Sequence, residues 1–583
     1  MGNLSGACRK ILIVSKRLDE TSERCLNYEM PLGGERVPLY SRDAPREMDV
    51  GEIKLIANES SDLLLRGCTR GQPDSGRAFL WRNVMSLEKK LLDLIELEGL
   101  KLTDRQHAYH NALHLEHERK TKRISSPAAK DVRTPAYWEK DKKFNPFYVR
   151  KHKKQIAHSI AAKIIAGTYA PNKPELKKIP KSSGGTRSVT IYQIPDAAVS
   201  RMIYEQLIRK NKHRFSSFSY AYRNDRNVHF AIQDIGIELA QSSRIYVAEF
   251  DFSKFFDSID HKYLYEQFSN NGFLISDSEK QVIKAFLSQS GKGIPQGTSI
   301  SLFLANLVCW RLDRELEQAG LRFARYADDT IIWSADYDRI SKAFQIISNF
   351  SFDTGVLINS EKSKGIRLLC DHKMKVEMES THFIDFLGYS ISTSNISIKK
   401  SSENKIKRQI SYILYKHLIQ PLRGAQLTAL KIPGNNKDEN LVSAIMEIRR
   451  YLYGDLTDQM IANYISGVSN RIFFKGIMSF YPLINDENQL KDLDGWLATA
   501  VYKGIRIRGK LLKSWGHNRD HVFPFNISRR EIITELRKQK IHGKKLLKLP
   551  SFYFIYQALS KGLNDFGVEG VMNPTSNTYN YYD

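Results

Sequence analysis

Cysteine is scarce in this sequence. The chain has 583 residues and only five cysteines, which are Cys8, Cys25, Cys68, Cys309 and Cys370. Their odd number, their wide spacing and the lack of a Cys-x-x-Cys pair argue against both a disulfide framework and a zinc site. We therefore expect a protein of a reducing compartment such as the cytoplasm.

Long hydrophobic runs are also missing. No stretch approaches the ~18 consecutive apolar residues that a membrane-spanning helix needs. The first residues lack the basic, apolar and small-residue order of a signal peptide. These absences favour a protein without a membrane partner.

What the sequence does contain is an excess of basic residues. Lys and Arg number 89 against 64 Asp and Glu, so the net charge is +25. Such a charge suggests a polyanionic partner, with nucleic acid first and an anionic membrane surface second. Single runs such as Lys151-His152-Lys153-Lys154 are weaker evidence, because most basic runs are only solvated helix faces.

The length and the 42% hydrophobic content predict more than one packed unit. We expect an N-terminal extension (1–75), a helical segment (76–240), a mixed α/β unit (241–395), a helical unit (396–515), and a basic extension with a tail (516–583). Amphipathic periodicity predicts one helix over 459–480 among those of the helical unit. His107, His110, His114 and His117 lie at helical spacing, which favours a solvated face over a metal site.

Two segments rich in carboxylates carry the candidate chemistry. An apolar strand from Arg244 ends at Asp251 and is predicted to lead into a helix near Ser258. About seventy residues later, two short strands close on a turn at Ala327-Asp328-Asp329. Asp is a common turn residue, so an isolated Asp pair would mean little. A third carboxylate at a strand end makes a magnesium site the better interpretation.

A glycine-containing loop lies between these segments, at Gly293-Ile294-Pro295-Gln296-Gly297-Thr298-Ser299-Ile300-Ser301. Gly293 and Gly297 permit a ligand to approach the backbone closely. Ser299 and Ser301 are predicted to cap the helix that follows.

Together these segments resemble the motifs of reverse transcriptases. Tyr326-Ala327-Asp328-Asp329 is similar to their catalytic tetrapeptide, Asp251 through Asp257 to their first metal-binding motif, and the Gln296 loop to their Pro-Gln-Gly loop. Further matches keep the family's order: the fingertip segment from Lys181 to Arg187, Tyr220 to Arg223, Gly355 to Asn359 with Lys362, and the primer grip from Phe386 to Tyr389. The resemblance covers about residues 140–395 and is strongest for bacterial enzymes of the group II intron and retron type, with the defence-associated unknown group as the expected subgroup.

The resemblance implies a right-hand polymerase, with α/β fingers and palm, an antiparallel palm sheet, and an all-α thumb and C-terminal region. It assigns two Mg²⁺ ions, replaceable by Mn²⁺, to Asp251, the backbone of Phe252, Asp328 and Asp329. Deoxynucleotide contacts fall to Lys181, Arg187, Phe256, Gln296 and Lys362. Nucleic-acid contacts fall to Tyr326, Arg223 and Gly388, with Arg449, Arg450 and Arg471 as thumb candidates that could equally form a solvated face. The Phe256 ring is expected to exclude a ribose 2′ hydroxyl, and Phe255 is expected to pack in the core.

The implied function is an RNA-directed DNA polymerase of a bacterial cytoplasm. Its expected partners are an RNA template, deoxynucleotides and the DNA product, and homo-oligomerisation is left open. The resemblance further suggests antiviral defence with a structured noncoding RNA as template. Two alternatives stay open, an intron-type maturase and a template-independent or protein-primed polymerase, for which Tyr579, Tyr581 and Tyr582 in the tail are candidate primers.

Overall fold

A 47-residue helix opens the described part of the chain. The computed structural model describes residues 75–121, 125–180, 185–287, 290–371, 374–423, 438–538, 540–541, 545–546 and 548–574. The long helix buries Leu91, Ile95 and Leu102 on one side, as their three-to-four spacing predicts. No helix within these ranges combines the length and apolar character needed to cross a bilayer.

The first section is helical and carries one β-hairpin. Its helices are α1 (Ser75–Thr121), α2 (Tyr137–Lys140), α3 (Pro146–Lys151), α4 (Lys153–Ile165), α5 (Ile194–Asn211) and α6 (Val228–Leu239). Short 3₁₀ turns lie at Lys142–Phe144 and Lys212–Arg214. The antiparallel hairpin joins β1 (Glu175–Pro180) to β2 (Thr186–Ile191). α3 begins where it does because Asn145 accepts hydrogen bonds from two backbone N–H groups and Pro146 fills the first helical position.

A five-stranded sheet forms the centre of the molecule. Its strands are β3 (Arg244–Phe250), β4 (Arg322–Tyr326), β5 (Asp329–Ser334), β6 (Lys364–Cys370) and β7 (Ser380–Thr381), in the order β4-β5-β3-β6-β7. Neighbouring strands are antiparallel except β6 and β7, which run parallel, so the expectation of a purely antiparallel sheet is wrong at that edge. Because Phe250 at the end of β3 pairs with Thr330, the end of β3 lies beside the tip of the β4–β5 hairpin.

Helices cover the sheet and connect its strands. They are α7 (Phe255–Ser258), α8 (His261–Asn270), α9 (Asp277–Phe286), α10 (Ser299–Val308), α11 (Trp310–Gln318) and α12 (Tyr337–Thr354). The helix after β3 therefore begins at Phe255, and the predicted start near Ser258 is instead its end. A second helix follows, capped by Asp260, whose side chain accepts from two backbone N–H groups. A three-stranded antiparallel sheet then follows, with β8 (Ile384–Phe386), β9 (Tyr389–Ile391) and β10 (Ile396–Ile398).

The last section is mainly helical. Its helices are α13 (Lys400–Leu414), α14 (Gln420–Arg423), α15 (Glu439–Tyr453), α16 (Asp458–Ile465), α17 (Glu487–Ser514), α18 (Ile532–Lys538) and α19 (Phe552–Val571), with a π-helical turn at Tyr415–Ile419 and a 3₁₀ turn at Ile477–Phe480. The predicted helix over 459–480 is wrong, because the chain leaves the helix after Ile465 and turns at Gly467, whose φ is +81°. A short hairpin of β11 (Lys540–Ile541) and β12 (Lys545–Leu546) also contradicts the all-α expectation.

Candidate active site

Asp251 lies directly after β3 and is held from both its backbone and its side chain. Asn359 N–H donates to the Asp251 carbonyl at 2.8 Å, and Asn359 Nδ2 donates to Asp251 Oδ2 at 2.8 Å. The Asp251 backbone N–H donates to Ser363 Oγ at 3.1 Å. These bonds fix the direction of a carboxylate whose residue is only 7% exposed. Asn359 thus positions Asp251, a role that the match from Gly355 to Asn359 does not reveal.

The hairpin tip brings two more carboxylates to the same place. Ala327 adopts a left-handed φ of +61°, which turns the chain between β4 and β5. Burial and the charge of Asp251 raise the pKa of Asp328. Burial and the neighbouring charge of Asp328 raise the pKa of Asp329 to about 7, although the residue keeps an exposed surface. The sequence therefore gathers like charges at one edge of the sheet.

Lys362 and Arg187 partly offset these charges, and Lys362 makes a direct contact. Lys362 Nζ lies 3.1 Å from Asp251 Oδ2, and Lys362 is largely exposed. Burial alone would lower the pKa of Lys362, but the hydrogen bond and charge of Asp251 outweigh it, so the pKa is raised. Lys362 is therefore a protonated donor beside the carboxylates.

The chemistry of the three carboxylates fits a divalent cation. Their oxygens are hard ligands of the kind Mg²⁺ prefers, and a bound cation would offset the burial and the repulsion that together raise the pKa values of Asp328 and Asp329. Across the described ranges, no three His, Cys, Asp or Glu side chains already stand at the spacing of a metal cluster. Asp251 Oδ2 is instead bonded to Asn359 and Lys362, so a metal ion at that oxygen would displace the Lys362 ammonium.

The structure brings together two of the predicted nucleotide-binding residues. Arg187 Nε donates to Gln296 Oε1 at 2.6 Å, and Gln296 Nε2 donates to Asp257 Oδ1 at 3.3 Å. A Cβ at Gly297 would lie 2.6 Å from the carbonyl oxygen of Thr190, so only glycine lets the loop pack this closely on β2. The fingertip hairpin is thereby tied to the loop, with the exposed Arg187 guanidinium facing solvent.

The three phenylalanines after β3 have different surroundings. Phe252 and Phe255 are 3% and 2% exposed, and Phe252 packs on Phe350. Phe256 is 9% exposed, and its ring meets Tyr222 edge-on at 6.3 Å between centroids. Burial and the charge of Asp328 raise the pKa of Tyr222, so this phenol stays protonated near the carboxylates. Tyr222 is a site residue that the sequence analysis did not single out.

A buried arginine supports the hairpin from behind. Arg325 is fully buried, and its Nε and Nη2 donate to the two carboxylate oxygens of Asp313 at 2.6 Å each. Its Nη1 donates to the Ala327 carbonyl at 3.1 Å, and its Nη2 donates to Ser219 Oγ at 2.7 Å. Arg325 thus joins α11 and the loop before α6 to the turn that carries Asp328. An arginine inside an apolar strand was the available sequence signal.

The predicted serine caps of α10 are wrong. Thr298 occupies the N-cap position, and its side chain makes no capping bond. The Ile300 N–H donates instead to Ser200 Oγ on α5 at 3.0 Å, and Ser200 also contacts Thr298. The start of α10 is therefore capped from another helix, which local sequence cannot show.

The predicted nucleic-acid residues divide into two groups. Tyr326 is half-buried at the end of β4, Gly388 turns between β8 and β9 with a φ of +88°, and Arg450 is exposed. Arg471 is exposed and lies over the rings of Phe473 and Phe566, at 5.3 Å and 5.6 Å. These four remain candidates for contact with nucleic acid.

The predicted nucleic-acid contacts of Arg223 and Arg449 need correction, because both side chains are bound within the fold. Arg223 donates to the Ser216 carbonyl at 2.6 Å and pairs with Asp225 at 2.8 Å. Arg449 pairs with Asp458 and donates to the Lys548 carbonyl at 2.7 Å. Both guanidinium groups are largely buried, at 5% and 12% side-chain exposure, so they hold the fold rather than present a free charge.

Several predicted residues lie outside the described residues. These are Lys181, the tail tyrosines Tyr579, Tyr581 and Tyr582, and nearly all of the N-terminal extension. The predictions for them stay predictions.

Comparisons with known proteins match the part of the chain that carries these motifs. Residues 179–391 match the family model for the reverse transcriptase (RNA-dependent DNA polymerase). Protein YkfC of Escherichia coli K12 is 28% identical over 172 residues, which are 27% of this chain and 44% of that protein. The retron Ec83 reverse transcriptase of Escherichia coli is 23% identical over 305 residues, which are 50% of this chain and 90% of that enzyme.

A solved structure, telomerase from Candida tropicalis in complex with a TWJ fragment of telomeric RNA, aligns with 71% of this chain and 76% of its own at 14% identity. Its TM-score of 0.32 is too low to support an argument. The motif order, the strand-end carboxylates and the family match agree on one segment. The prediction of a bacterial reverse transcriptase is confirmed at the level of this segment: residues 179–391 of the chain match the reverse transcriptase family model.

Proposed function

We propose that this chain is an RNA-directed DNA polymerase that works with two divalent ions. The observation that carries the proposal is the gathering of Asp251, Asp328 and Asp329 at one sheet edge, where the pKa of Asp329 rises to about 7. Such crowding destabilises the protein unless a cation is bound. Two Mg²⁺ ions would lower the charge on the attacking 3′ oxygen and on the leaving pyrophosphate.

The surrounding residues suit the remaining tasks. Asp251, Asp328, Asp329 and the Phe252 carbonyl would hold the ions, with Mn²⁺ as a substitute. Lys362, released from Asp251, would give its proton to the leaving pyrophosphate. Arg187, beside Gln296, would neutralise the triphosphate, and Lys181 is proposed for the same task. The ring of Phe256, supported by Tyr222, would meet a ribose 2′ hydroxyl and so select deoxynucleotides.

We assign the sections of the chain to the parts of a polymerase. Residues 76–240 would form the N-terminal helical segment and fingers, 241–395 the palm, and 396–515 the thumb. In this assignment Arg450 and Arg471 face the backbone of the template–primer duplex, and Tyr326 and Gly388 contact the primer end.

A structured noncoding RNA as template, in bacterial antiviral defence, is the setting we propose. Its support is the family resemblance together with the alignment to 90% of the retron Ec83 enzyme. A cytoplasmic location is supported by the free, buried thiols of Cys309 and Cys370. Sequencing the RNA that copurifies with the chain tests this setting, since a maturase would retain its intron RNA.

The experiment that tests the activity is primer extension on an RNA template with deoxynucleotides and Mg²⁺. Wild type should extend the primer, and Asp329→Asn should not. Asp336→Asn is the matched control, because Asp336 caps α12 just past the opposite end of β5 from Asp329, and Asn can cap equally well. Equal extension by wild type and Asp329→Asn would refute the proposal.

A further inference from the structure

The segment around α3 carries many positive charges for its length. Residues 140–154 include seven Lys and Arg residues and a single acidic residue, Asp141. Three of these cations have acidic partners: Lys140 pairs with Glu175, and Arg150 and Lys153 both pair with Glu96. Lys143 lies near the buried carboxylate of Asp196 and lowers its pKa in opposition to the larger effect of burial. These four cations therefore interact with acidic side chains of the chain itself.

The other three lysines have no such partner. In the part of the chain that the structure describes, Lys142, Lys151 and Lys154 form no ion pair, and all three are exposed. An unpaired lysine among solvent is ordinary, but three within thirteen residues create a local excess of charge. Such an excess is what a polyanion would neutralise.

Aromatic rings lie among these lysines. Lys142 Nζ sits 5.9 Å from the ring centroid of Tyr148, and the other neighbour of Tyr148 is His152, with 4.3 Å between ring centroids. Phe147 is 46% exposed, and its ring lies 6.1 Å from that of the exposed His107 on α1. Phe147 therefore remains accessible although it is a large apolar side chain. We call Lys142, Phe147, Tyr148, Lys151, His152 and Lys154 the α3 face.

Lysines beside one exposed ring and one half-buried ring match one ligand chemistry well. The phosphates of a single strand pair with ammonium groups, while its bases stack on aromatic rings. An anionic membrane would instead need a larger apolar surface than one exposed phenylalanine. We propose that the α3 face is a binding surface for single-stranded nucleic acid outside the polymerase cleft, where it would hold the unpaired part of the template RNA. The choice of RNA rests on the proposed function.

The test measures binding of a 30-nucleotide mixed-sequence RNA strand to the full chain by fluorescence anisotropy, without nucleotides or metal. Replacing the three lysines together, Lys142→Gln, Lys151→Gln and Lys154→Gln, should weaken binding roughly tenfold and reduce the slope of log K against log salt by about 2, at ~0.7 per phosphate contact. The matched control removes three exposed, unpaired lysines elsewhere, by Lys212→Gln, Lys262→Gln and Lys342→Gln. That control should change binding less than twofold.

A second variant separates stacking from charge. Phe147→Leu with Tyr148→Leu should weaken binding roughly fivefold and leave the salt slope unchanged.

The proposal is overturned if the control triple weakens binding as much as the α3 triple does. It is overturned equally if neither variant changes binding, or if phosphatidylserine vesicles bind in place of RNA. Extension of a short, fully annealed template–primer should stay within twofold of wild type in every α3 variant, because such a substrate has no unpaired strand to hold. A chain that binds RNA through this face but makes no DNA would refute the proposed function and leave this inference intact.

Discussion

Buried carboxylates are poorly neutralised at the candidate catalytic edge of the central sheet and well neutralised in the C-terminal helical section. At the edge, three carboxylates share one lysine, and the pKa of Asp329 rises to about 7. In the helical section, burial would raise the pKa of Glu447, but His417 and Lys416 outweigh it and lower the pKa to about 2. Asp438 likewise meets Arg508 at 2.6 Å. The first region keeps repelling carboxylates close together, whereas the second is neutralised by its own cations.

Backbone conformation follows the same division. Five described residues have positive φ values without being glycine. Tyr222, Lys254, Ala327 and Leu387 lie in or next to a motif of the active site, and Ser126 alone of these five does not. Over the described part of 438–574, positive φ occurs at glycines alone. Each such non-glycine residue costs roughly 1–3 kcal/mol. Strain and charge crowding are therefore concentrated at the site.

The largest expected contrast is in activity. Asp251→Asn should reduce the extension rate about a thousand-fold or more, equivalent to ~4 kcal/mol of barrier, because a metal ligand is lost. Asp438→Asn, which also neutralises a buried carboxylate, should change the rate less than threefold at 20 °C. Single-turnover extension measures both. Similar losses in the two variants would break the comparison.

For stability, the Asp438 substitution should have the larger effect. Asp438→Asn should lower the free energy of unfolding by about 3 kcal/mol, because Arg508 is left buried without a counter-charge. Asp486→Asn is the control, since Asp486 also caps a helix but bonds to Ser397 rather than to a cation. Denaturant unfolding compares the two. Equal stability of both variants would show that the Arg508 pair contributes little.

Arg325 combines both features, since it forms a neutralised buried ion pair with Asp313 and also supports the strained turn at Ala327. Arg325→Lys keeps the charge but loses the two-pronged contact with Asp313 and the bond to the Ala327 carbonyl. The turnover number should fall about ten- to a hundred-fold with little change in KM, since a shift of the hairpin misplaces Asp328. Arg223→Lys is the control in the neighbouring loop. A loss confined to KM would contradict this role.

The last expected effect is a dependence of stability on pH. Glu447 has a folded pKa of about 2, below its unfolded value of ~4.3. Its contribution to stability is therefore complete above the unfolded pKa and is lost as pH falls toward 2. Glu447→Gln should lower the free energy of unfolding at pH 7 by up to about 3 kcal/mol, at ~1.4 kcal/mol per pKa unit, and flatten the loss of stability below pH 5. Glu487→Gln, on an exposed pair, should leave that slope unchanged.

The sequence predicted the site better than it predicted the charges around the site. Asp251, Asp328 and Gln296 could be found because each belongs to a local motif whose order along the chain is informative. Arg223 and Arg449 could not be judged, because their partners depend on tertiary packing that a count of charges ignores. The same holds for the start of α10, which Ser200 caps from a distant helix, and for Arg325, whose partner Asp313 lies on another element. The strand and helix order was largely visible, whereas the break at Gly467 was hidden by apolar periodicity that continues past it.

We infer that Asp251, Asp328 and Asp329 are crowded because they bind divalent ions. Thermal unfolding of wild type and Asp329→Asn, in EDTA and in Mn²⁺, measures this binding without any polymerase assay. In EDTA the variant should melt at a higher temperature than wild type, because one repelling charge is gone, and Mn²⁺ should raise the melting temperature of wild type by more than that of the variant. A variant that melts lower in EDTA, or an equal Mn²⁺ shift in both proteins, would contradict the account.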